Sequence, residues 1–160
     1  MVINLYDERN YKEVSRGSYH ELEFVITYQN IYEPSYYIRW VYPDSTYSDS
    51  SLMSFKYFYH NDVMDGPKES FTFGKLRARG FLKENKRHGA QVYINEDGYI
   101  TKWEYYKDGK KSGVWESCNS EWRMYKKVYY DDNGQFVKQE IYDRRTGKLF
   151  RTEYEESRGY

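Results

Sequence analysis

Aromatic and apolar residues occur in short runs along this chain, and polar turns rich in Asn, Asp and Gly separate the runs. Runs such as 24–28 and 36–42 are dominated by Tyr, Phe, Trp, Val and Ile, which favour pleated, half-buried strands. The pairs at 97–98 and 108–109 are Asp-Gly, which tolerates positive φ and closes tight hairpins. The pattern therefore predicts short β-strands joined by tight turns.

A repeat of about 24 residues organises these runs into two adjacent columns. The first column is aromatic and the second is apolar or aromatic. The first contains Tyr57, Phe81, Tyr105 and Tyr129, and the second contains Phe58, Leu82, Tyr106 and Tyr130. Neighbouring side chains of a strand point to opposite faces of the sheet, so we expect each column to line a different face. A lone hairpin is marginal in water, so neighbouring repeats should stabilise one another.

The repeats predict an all-β protein, an elongated antiparallel meander of β-hairpin repeats with a divergent N-terminal β cap. We expect the cap to comprise residues 1–51 and the repeat sheet to comprise 52–160 as one continuous domain. Residues 46–51 are predicted to form an inserted loop. Residues 135–142 and 148–154 are predicted to form the last hairpin. The tail at 153–158 is charged, as expected of an edge strand that is protected from further pairing.

Composition and charge limit the classes of function that this chain is expected to have. The chain has 21 Tyr, 8 Phe and 4 Trp among 160 residues, so aromatic side chains dominate its apolar surface. Residues 1–73 hold 6 Lys/Arg and 11 Asp/Glu (−5), and residues 74–160 hold 19 and 14 (+5). This neutral total argues against a dedicated nucleic-acid binder, which is usually basic overall. The opposite halves leave room for electrostatic matching to a protein partner.

The lack of a recognisable targeting signal and the single cysteine predict a cytoplasmic protein. No run approaches 18 apolar residues, and the N-terminus lacks the basic and apolar regions of a secretory signal. The single cysteine, Cys118, cannot form an internal disulfide, which is typical of a reducing compartment. We therefore expect no membrane association.

Candidate catalytic and metal-binding residues are sparse. His20, His60 and His88 lie far apart, and none is at ligand spacing from a Cys or Glu. Cys118 lacks a local nucleophile signature and is interpreted as a small buried thiol. The glycines fall at turn spacing, so no phosphate-binding loop is predicted. We expect a protein that is not an enzyme, with no catalytic residue, no metal and no cofactor.

Residues 97–115 and 129–136 contain a tyrosine pair, an Asp-Gly or Asn-Gly turn and, in the first case, Gly-Lys-x-x-Gly followed by an aromatic residue. They resemble the MORN-repeat variant of YwqK-type antitoxins, which occur beside secreted toxins. The resemblance covers about residues 55–154, and the stretches 84–86 and 118–123 depart from the pattern. It implies an antitoxin, or immunity protein, that binds and neutralises a cognate bacterial toxin encoded next to it.

Tyr, Trp and Arg dominate the energetics of protein–protein contacts, so the expected toxin contacts are residues of these types. We expect them at Trp103, Tyr105, Trp115, Trp122 and Arg123. The mechanism would be steric, with the sheet or its edge covering the active cleft of the toxin.

Three alternatives stay open. The chain could be a MORN-like scaffold or membrane-associated interaction module, because basic residues recur near its turns. These residues are Arg87, Lys110, Lys111, Arg144 and Arg145, and they would form a basic stripe if the turns project from the same edge. An enzyme would need catalytic residues from 1–50. A homo-oligomer could form through an exposed edge strand.

Overall fold

The structure is a computed structural model, and within each unit every strand pairing is antiparallel. It divides into two compact units, Met1–Lys86 and Arg87–Tyr160. Successive strands along the chain pair with each other, so the predicted all-β antiparallel meander is confirmed. The residues that the structure describes are 4–19, 23–42, 54–119, 121 and 123–155.

The described residues form fourteen strands. In the first unit a 3₁₀ turn, Glu8–Asn10, precedes β1 (Tyr11–Tyr19), β2 (Glu23–Asn30), β3 (Tyr36–Tyr42), β4 (Ser54–His60), β5 (Val63–Thr72) and β6 (Lys75–Lys83). The short β7 (Lys86–Arg87) lies at the division between the units. The second unit contains β8 (Gly89–Ile94), β9 (Ile100–Lys107), β10 (Lys110–Lys111), β11 (Gly113–Cys118), β12 (Met124–Tyr130), β13 (Phe136–Tyr142) and β14 (Leu149–Tyr154).

In the first unit, the chain before β1 packs on the sheet and completes a small core. Ile26, Ile38 and Phe58 lie in this core and are at most 4% exposed. The ring of Tyr6 packs edge-on against Phe58 and Phe81, with ring centroids 5.8 and 5.9 Å apart. Edge-to-face ring contacts add to the gain from burying apolar surface. The segment before β1 is therefore part of the folded unit.

A buried lysine ties the same segment to the sheet. Lys56 on β4 is 5% exposed, and its ammonium forms ion pairs with Glu8, at 2.6 Å, and with Glu69. The ammonium also lies 5.2 Å from the ring centroid of Trp40. Because desolvating a cation is costly, a buried lysine is stable only with such partners. The pair with Glu8 therefore fixes the 3₁₀ turn against β4.

Two strands predicted in the N-terminal region, at 24–28 and 36–42, are present as β2 and β3. The sequence did not predict β1, whose residues are mostly polar although it pairs with β2 along its length. The predicted domain boundary at 51/52 and the predicted inserted loop at 46–51 lie outside the described residues. They remain predictions.

The two aromatic columns point to opposite faces, as the repeat predicts. In the second unit Tyr105 is 42% exposed, whereas its neighbour Tyr106 is only 9% exposed. In the first unit Phe58 and Leu82, both of the second column, are 4% and 6% exposed. The second column therefore supplies buried side chains in each unit, and this is the physical basis of the repeat.

The turn at Glu84 and Asn85 keeps its shape although its sequence departs from the repeat. Both residues have positive φ, 49° and 64°, the values that Asn61 and Asp62 also show. The main-chain nitrogen of Asn85 donates to the carbonyl oxygen of Met64 at 2.9 Å, and its Oδ1 accepts from the Met64 nitrogen at 2.8 Å. Asn tolerates the left-handed region, so these bonds hold a tight turn without glycine.

A second type of turn repeats within the second unit and is built on one Asn or Asp side chain. Asn95, Asn119 and Asp131 each accept hydrogen bonds from the main-chain N–H groups two and four residues later. Asn119 follows Asn95 by 24 residues (119 − 95), so this turn keeps the spacing of the repeat. Such turns depend on one short polar side chain, which is why the surrounding sequence can depart from the pattern.

Candidate functional site

Cross-strand pairing brings aromatic and charged side chains to one face of the second unit. One row crosses β9, β11, β12 and β13 through the pairs Trp103–Glu116, Glu116–Lys127 and Lys127–Glu140. Directly opposed residues point the same way, and so do residues two positions along each strand. We call this set the Tyr105 face. Its members are Trp103, Tyr105, Val114, Glu116, Lys127, Tyr129, Lys138 and Glu140.

Two ion pairs balance the charges on the Tyr105 face. Lys127 Nζ lies 3.2 Å from Glu116 Oε1, and Lys138 Nζ lies 2.7 Å from Glu140 Oε1. With its charges paired, the face presents Tyr105 as its most exposed aromatic side chain, at 42%. The Tyr105 face is therefore an aromatic surface whose charged side chains are held in position by ion pairs.

A groove of about 510 Å³ opens beside Tyr105. Strands β9 and β11 pair at Trp103 and Lys102, but nearer the turn β10 folds back on β9 and occupies its edge. The groove is lined by Tyr105, Tyr106, Ser112, Gly113, Val114 and Glu116. Its walls combine apolar surface with one carboxylate, an arrangement that suits the side chain of a binding partner.

Trp115 lies on the opposite face, so the predicted contacts are divided between two faces. Its ring centroid is 5.2 Å from that of Tyr106 and 4.9 Å from that of Tyr130. The indole Nε1 donates to the carbonyl oxygen of Tyr105 at 2.9 Å. The structure therefore brings Trp103 and Tyr105 together and places Trp115 behind them, where it braces the Tyr105 backbone.

Of the two remaining predicted contacts, Arg123 lies at a turn. Trp122 lies outside the described residues. The main-chain nitrogen of Arg123 donates to Asn119 Oδ1 at 2.9 Å. Its guanidinium donates to the carbonyl oxygen of Arg145 at 2.6 Å. Arg123 therefore ties two turns together, and its role as a toxin contact stays a prediction.

A buried carboxylate, Glu104, lies on the face opposite the Tyr105 face. It is 3% exposed, and its Oε2 accepts hydrogen bonds from the hydroxyls of Tyr93 at 3.0 Å and Tyr106 at 2.9 Å. Lys102 forms an ion pair with Oε1. Burial alone raises the pKa of Glu104, but Lys102 and the two phenols outweigh burial and hold the pKa below its ordinary value. The carboxylate is therefore charged and fully paired.

The same cluster recurs around Glu140 on the Tyr105 face. Its Oε2 accepts from the hydroxyls of Tyr129 and Tyr142, both at 2.7 Å, while Lys138 pairs with Oε1. Both clusters match Tyr-x₈-Lys-x-Glu-x-Tyr, and the second follows the first by 36 residues (140 − 104). The motif does not follow the 24-residue spacing of the repeat and was therefore not predicted, although it is visible in the sequence.

The Glu140 carboxyl is expected to remain ionised well below pH 4.5. The hydrogen bonds from Lys138, Tyr129 and Tyr142 lower its pKa from the ordinary 4.5 to about 2. Because the folded-state pKa is depressed, the stabilisation is fully present above pH 4.5 and is lost as pH falls toward 2. Carbon-13 NMR titration of the Glu carboxyl signals measures this midpoint.

The variant Lys138→Met provides the comparison for that titration. It removes the largest contribution to the pKa shift, so the Glu140 midpoint should move upward toward 4.5. A wild-type Glu140 midpoint near 4.5, unchanged by Lys138→Met, would contradict the cluster geometry.

The basic stripe, which required the turns to project from the same edge, is not formed. Strands β9 and β13 run in opposite directions, since three antiparallel pairings separate them through β11 and β12. The basic residues 110–111 follow β9 and the basic residues 144–145 follow β13, so they lie at opposite ends of the strands. In addition, Lys111 Nζ lies 4.9 Å from the ring centroid of Trp115 and is engaged by the sheet. The hypothesis of a single basic edge is therefore wrong.

Other reactive side chains in the described residues have structural partners. The His60 ring stacks on Tyr36 with centroids 4.1 Å apart, and His88 Nδ1 lies 3.2 Å from Asp108. Cys118 is buried, and burial raises the pKa of its thiol. His20 lies outside the described residues. Within the described ranges, no group of three or more His, Cys, Asp or Glu side chains could hold a metal ion.

Membrane topology and similarity to known proteins give no further information about this site. In the part of the chain that the structure describes, no helix has the length and apolar character needed to cross a membrane. No family model matches the chain, and no curated protein matches it significantly.

Proposed function

We propose that this protein is a cytoplasmic antitoxin of the MORN-repeat, YwqK type, which binds a cognate bacterial toxin and neutralises it by protein–protein contact. One observation carries the proposal. The Tyr105 face holds an exposed tyrosine, a half-buried tryptophan and two ion pairs in fixed cross-strand positions. Inhibition would be steric, with the bound antitoxin covering the active cleft of the toxin.

The chemistry of this face supports tight and specific contact. Tyrosine and tryptophan are enriched among the residues that dominate binding energy, and tyrosine provides contact area with few rotatable bonds to freeze. The hydrogen bond from Trp115 braces the backbone of Tyr105 before any partner arrives. Such preorganisation lowers the entropic cost of association.

The groove indicates what the toxin would present. Tyr105 contributes an aromatic wall and Glu116 contributes a carboxylate to the same groove. An arginine or lysine side chain satisfies both, through a cation–π contact and a charge-assisted hydrogen bond. We therefore expect a basic side chain of the toxin to enter this groove.

Truncating Tyr105 is the direct test. Tyr105→Ala should weaken binding of the toxin encoded by the neighbouring gene about 30-fold, the effect of losing about 2 kcal/mol at a binding hot spot. Isothermal titration calorimetry with a catalytically inactive toxin measures this change. Growth of bacteria that co-express the active toxin with each variant shows whether neutralisation falls in parallel.

Tyr99→Ala is the matched control, because Tyr99 is 44% exposed and lies outside the Tyr105 face. It should bind the toxin as the wild type does. Equal losses of affinity in the two variants would contradict a role for the Tyr105 face. Failure of the wild-type chain to bind or neutralise the neighbouring gene product would contradict the antitoxin proposal.

A further inference from the structure

Strand β14 exposes an unusually apolar edge. Among the described residues it pairs on one side only, with β13. Leu149, Phe150 and Tyr154 on this strand are 54%, 72% and 57% exposed. A sheet edge offers main-chain donors and acceptors to any strand that can lie beside it, so proteins usually blunt such edges. Here large apolar side chains lie on a strand that, within the described part of the chain, pairs on one side only.

The charges on β14 do not protect it against a second copy of itself. Arg151 Nε lies 2.7 Å from Glu153 Oε1, so the two side chains share one face of the strand. When two β14 strands run antiparallel with Thr152 opposite Thr152, Arg151 of each copy lies opposite Glu153 of the other. A shift of one residue in either direction removes this match. Opposite charges directly across an antiparallel pair are stabilising, and like charges are destabilising.

The apolar residues of β14 fit the same register. Tyr154 of one copy falls opposite Phe150 of the other, on each side of the central Thr152 pair. Phe150 is the extra residue of a β-bulge, since Ile141 pairs with Arg151 whereas Tyr142 pairs with Leu149. The regular pairing therefore spans 151–153, and Phe150 contributes apolar contact to Tyr154 at its margin.

We infer that two copies of this chain associate through β14, antiparallel, with a two-fold axis at Thr152. The interface is isologous, because each copy uses the same strand. One short strand pair buries less surface than a permanent dimer interface, so the association is weak and reversible. This association does not depend on toxin binding.

Substitutions that reverse charges on β14, made in the full chain, test the register of the two paired β14 strands. Sedimentation equilibrium should show a monomer–dimer equilibrium for the wild type. Arg151→Glu and Glu153→Arg each place like charges across both symmetric pairs, and each should raise the dimer dissociation constant about tenfold. An equimolar mixture of the two variants restores opposite charges in the heterodimer, so it should associate about as tightly as the wild type.

The control is Lys75→Glu, which makes the same charge change as Arg151→Glu at an exposed position of β6. It should leave the dimer dissociation constant unchanged. A monomeric wild type at millimolar concentration would overturn the inference. So would open-ended oligomers, or a mixture of the two variants that associates no better than either variant alone.

Cross-linking tests the position of the two-fold axis. In a Cys118→Ser background, Thr152→Cys should give a disulfide-linked dimer on mild oxidation. Glu155→Cys should not, because in this register the two introduced cysteines are six residues apart along the strands, about 20 Å. Equal cross-linking of both variants, or of neither, would overturn the proposed register.

Discussion

Replacing Glu104 by alanine is expected to lower the free energy of unfolding by about 3 kcal/mol. Glu104 is 3% exposed and accepts hydrogen bonds from Tyr93 and Tyr106 while pairing with Lys102. Alanine removes the acceptor for two hydroxyl groups and leaves the buried phenol of Tyr106 without its carboxylate partner. Urea denaturation followed by circular dichroism measures the loss.

Two further variants distinguish the effect of disrupting the buried Glu104 cluster from the effect of removing a carboxylate charge elsewhere. Glu104→Gln keeps the size and one carbonyl acceptor, so it should cost about half as much as alanine. Glu116→Ala removes a carboxylate whose side chain is 31% exposed and paired with Lys127, and it should cost about 0.5 kcal/mol. Hydrogen exchange in Glu104→Ala should rise within residues 87–160. Equal losses in the free energy of unfolding for Glu104→Ala and Glu116→Ala would show that the buried cluster contributes no more to stability than the Glu116–Lys127 ion pair.

Gly66→Ala is expected to destabilise the first unit by about 3 kcal/mol. Gly66 has φ +135°, a conformation that residues with a side chain rarely adopt. A Cβ there would lie 2.8 Å from Tyr6 Cε1 and 2.9 Å from Phe58 Cβ. The Tyr6 ring can move aside, but Phe58 Cβ is fixed to the backbone of β4, so the clash persists.

Gly17→Ala is the matched control, since a Cβ at Gly17 would meet nothing within 4 Å. Its free energy of unfolding should stay within about 0.5 kcal/mol of the wild type. Near-ultraviolet circular dichroism of Gly66→Ala should also report a changed environment of Tyr6 and Phe58. If the two glycine variants unfold at the same urea concentration, the close approach of Tyr6 and Phe58 to Gly66 does not constrain the fold.

The strands and turns of the repeat could be predicted because their determinants are local. Alternation along a strand follows from backbone geometry, so neighbours such as Tyr105 and Tyr106 had to face opposite sides of any sheet. Turn shape depends on one or two residues, as at Asn95 and Asn119. Strand β1 was missed because its polar residues carry no apolar pattern, and its pairing with β2 is what makes it a strand.

The candidate site was predictable only where its residues share a strand. Trp103 and Tyr105 are two positions apart on β9, so their common face follows from the sequence. The face of Trp115 depends on the residues in the turn and on the cross-strand register, and a change of one residue moves a side chain to the opposite face. For this reason, Trp115 lies on the face of the sheet opposite to Trp103 and Tyr105.

By itself, the sequence determined the class of the fold, the positions of most strands and turns, and that the two aromatic columns line opposite faces. The tertiary structure alone decided the register of β8, β9, β11, β12 and β13, and hence which charges meet which tyrosines around Glu104 and Glu140. It also decided that Tyr6 packs on Phe58, far along the chain. The reason is physical: alternation and turn shape involve a few consecutive residues, whereas register and packing are set by the free energy of contacts between distant ones.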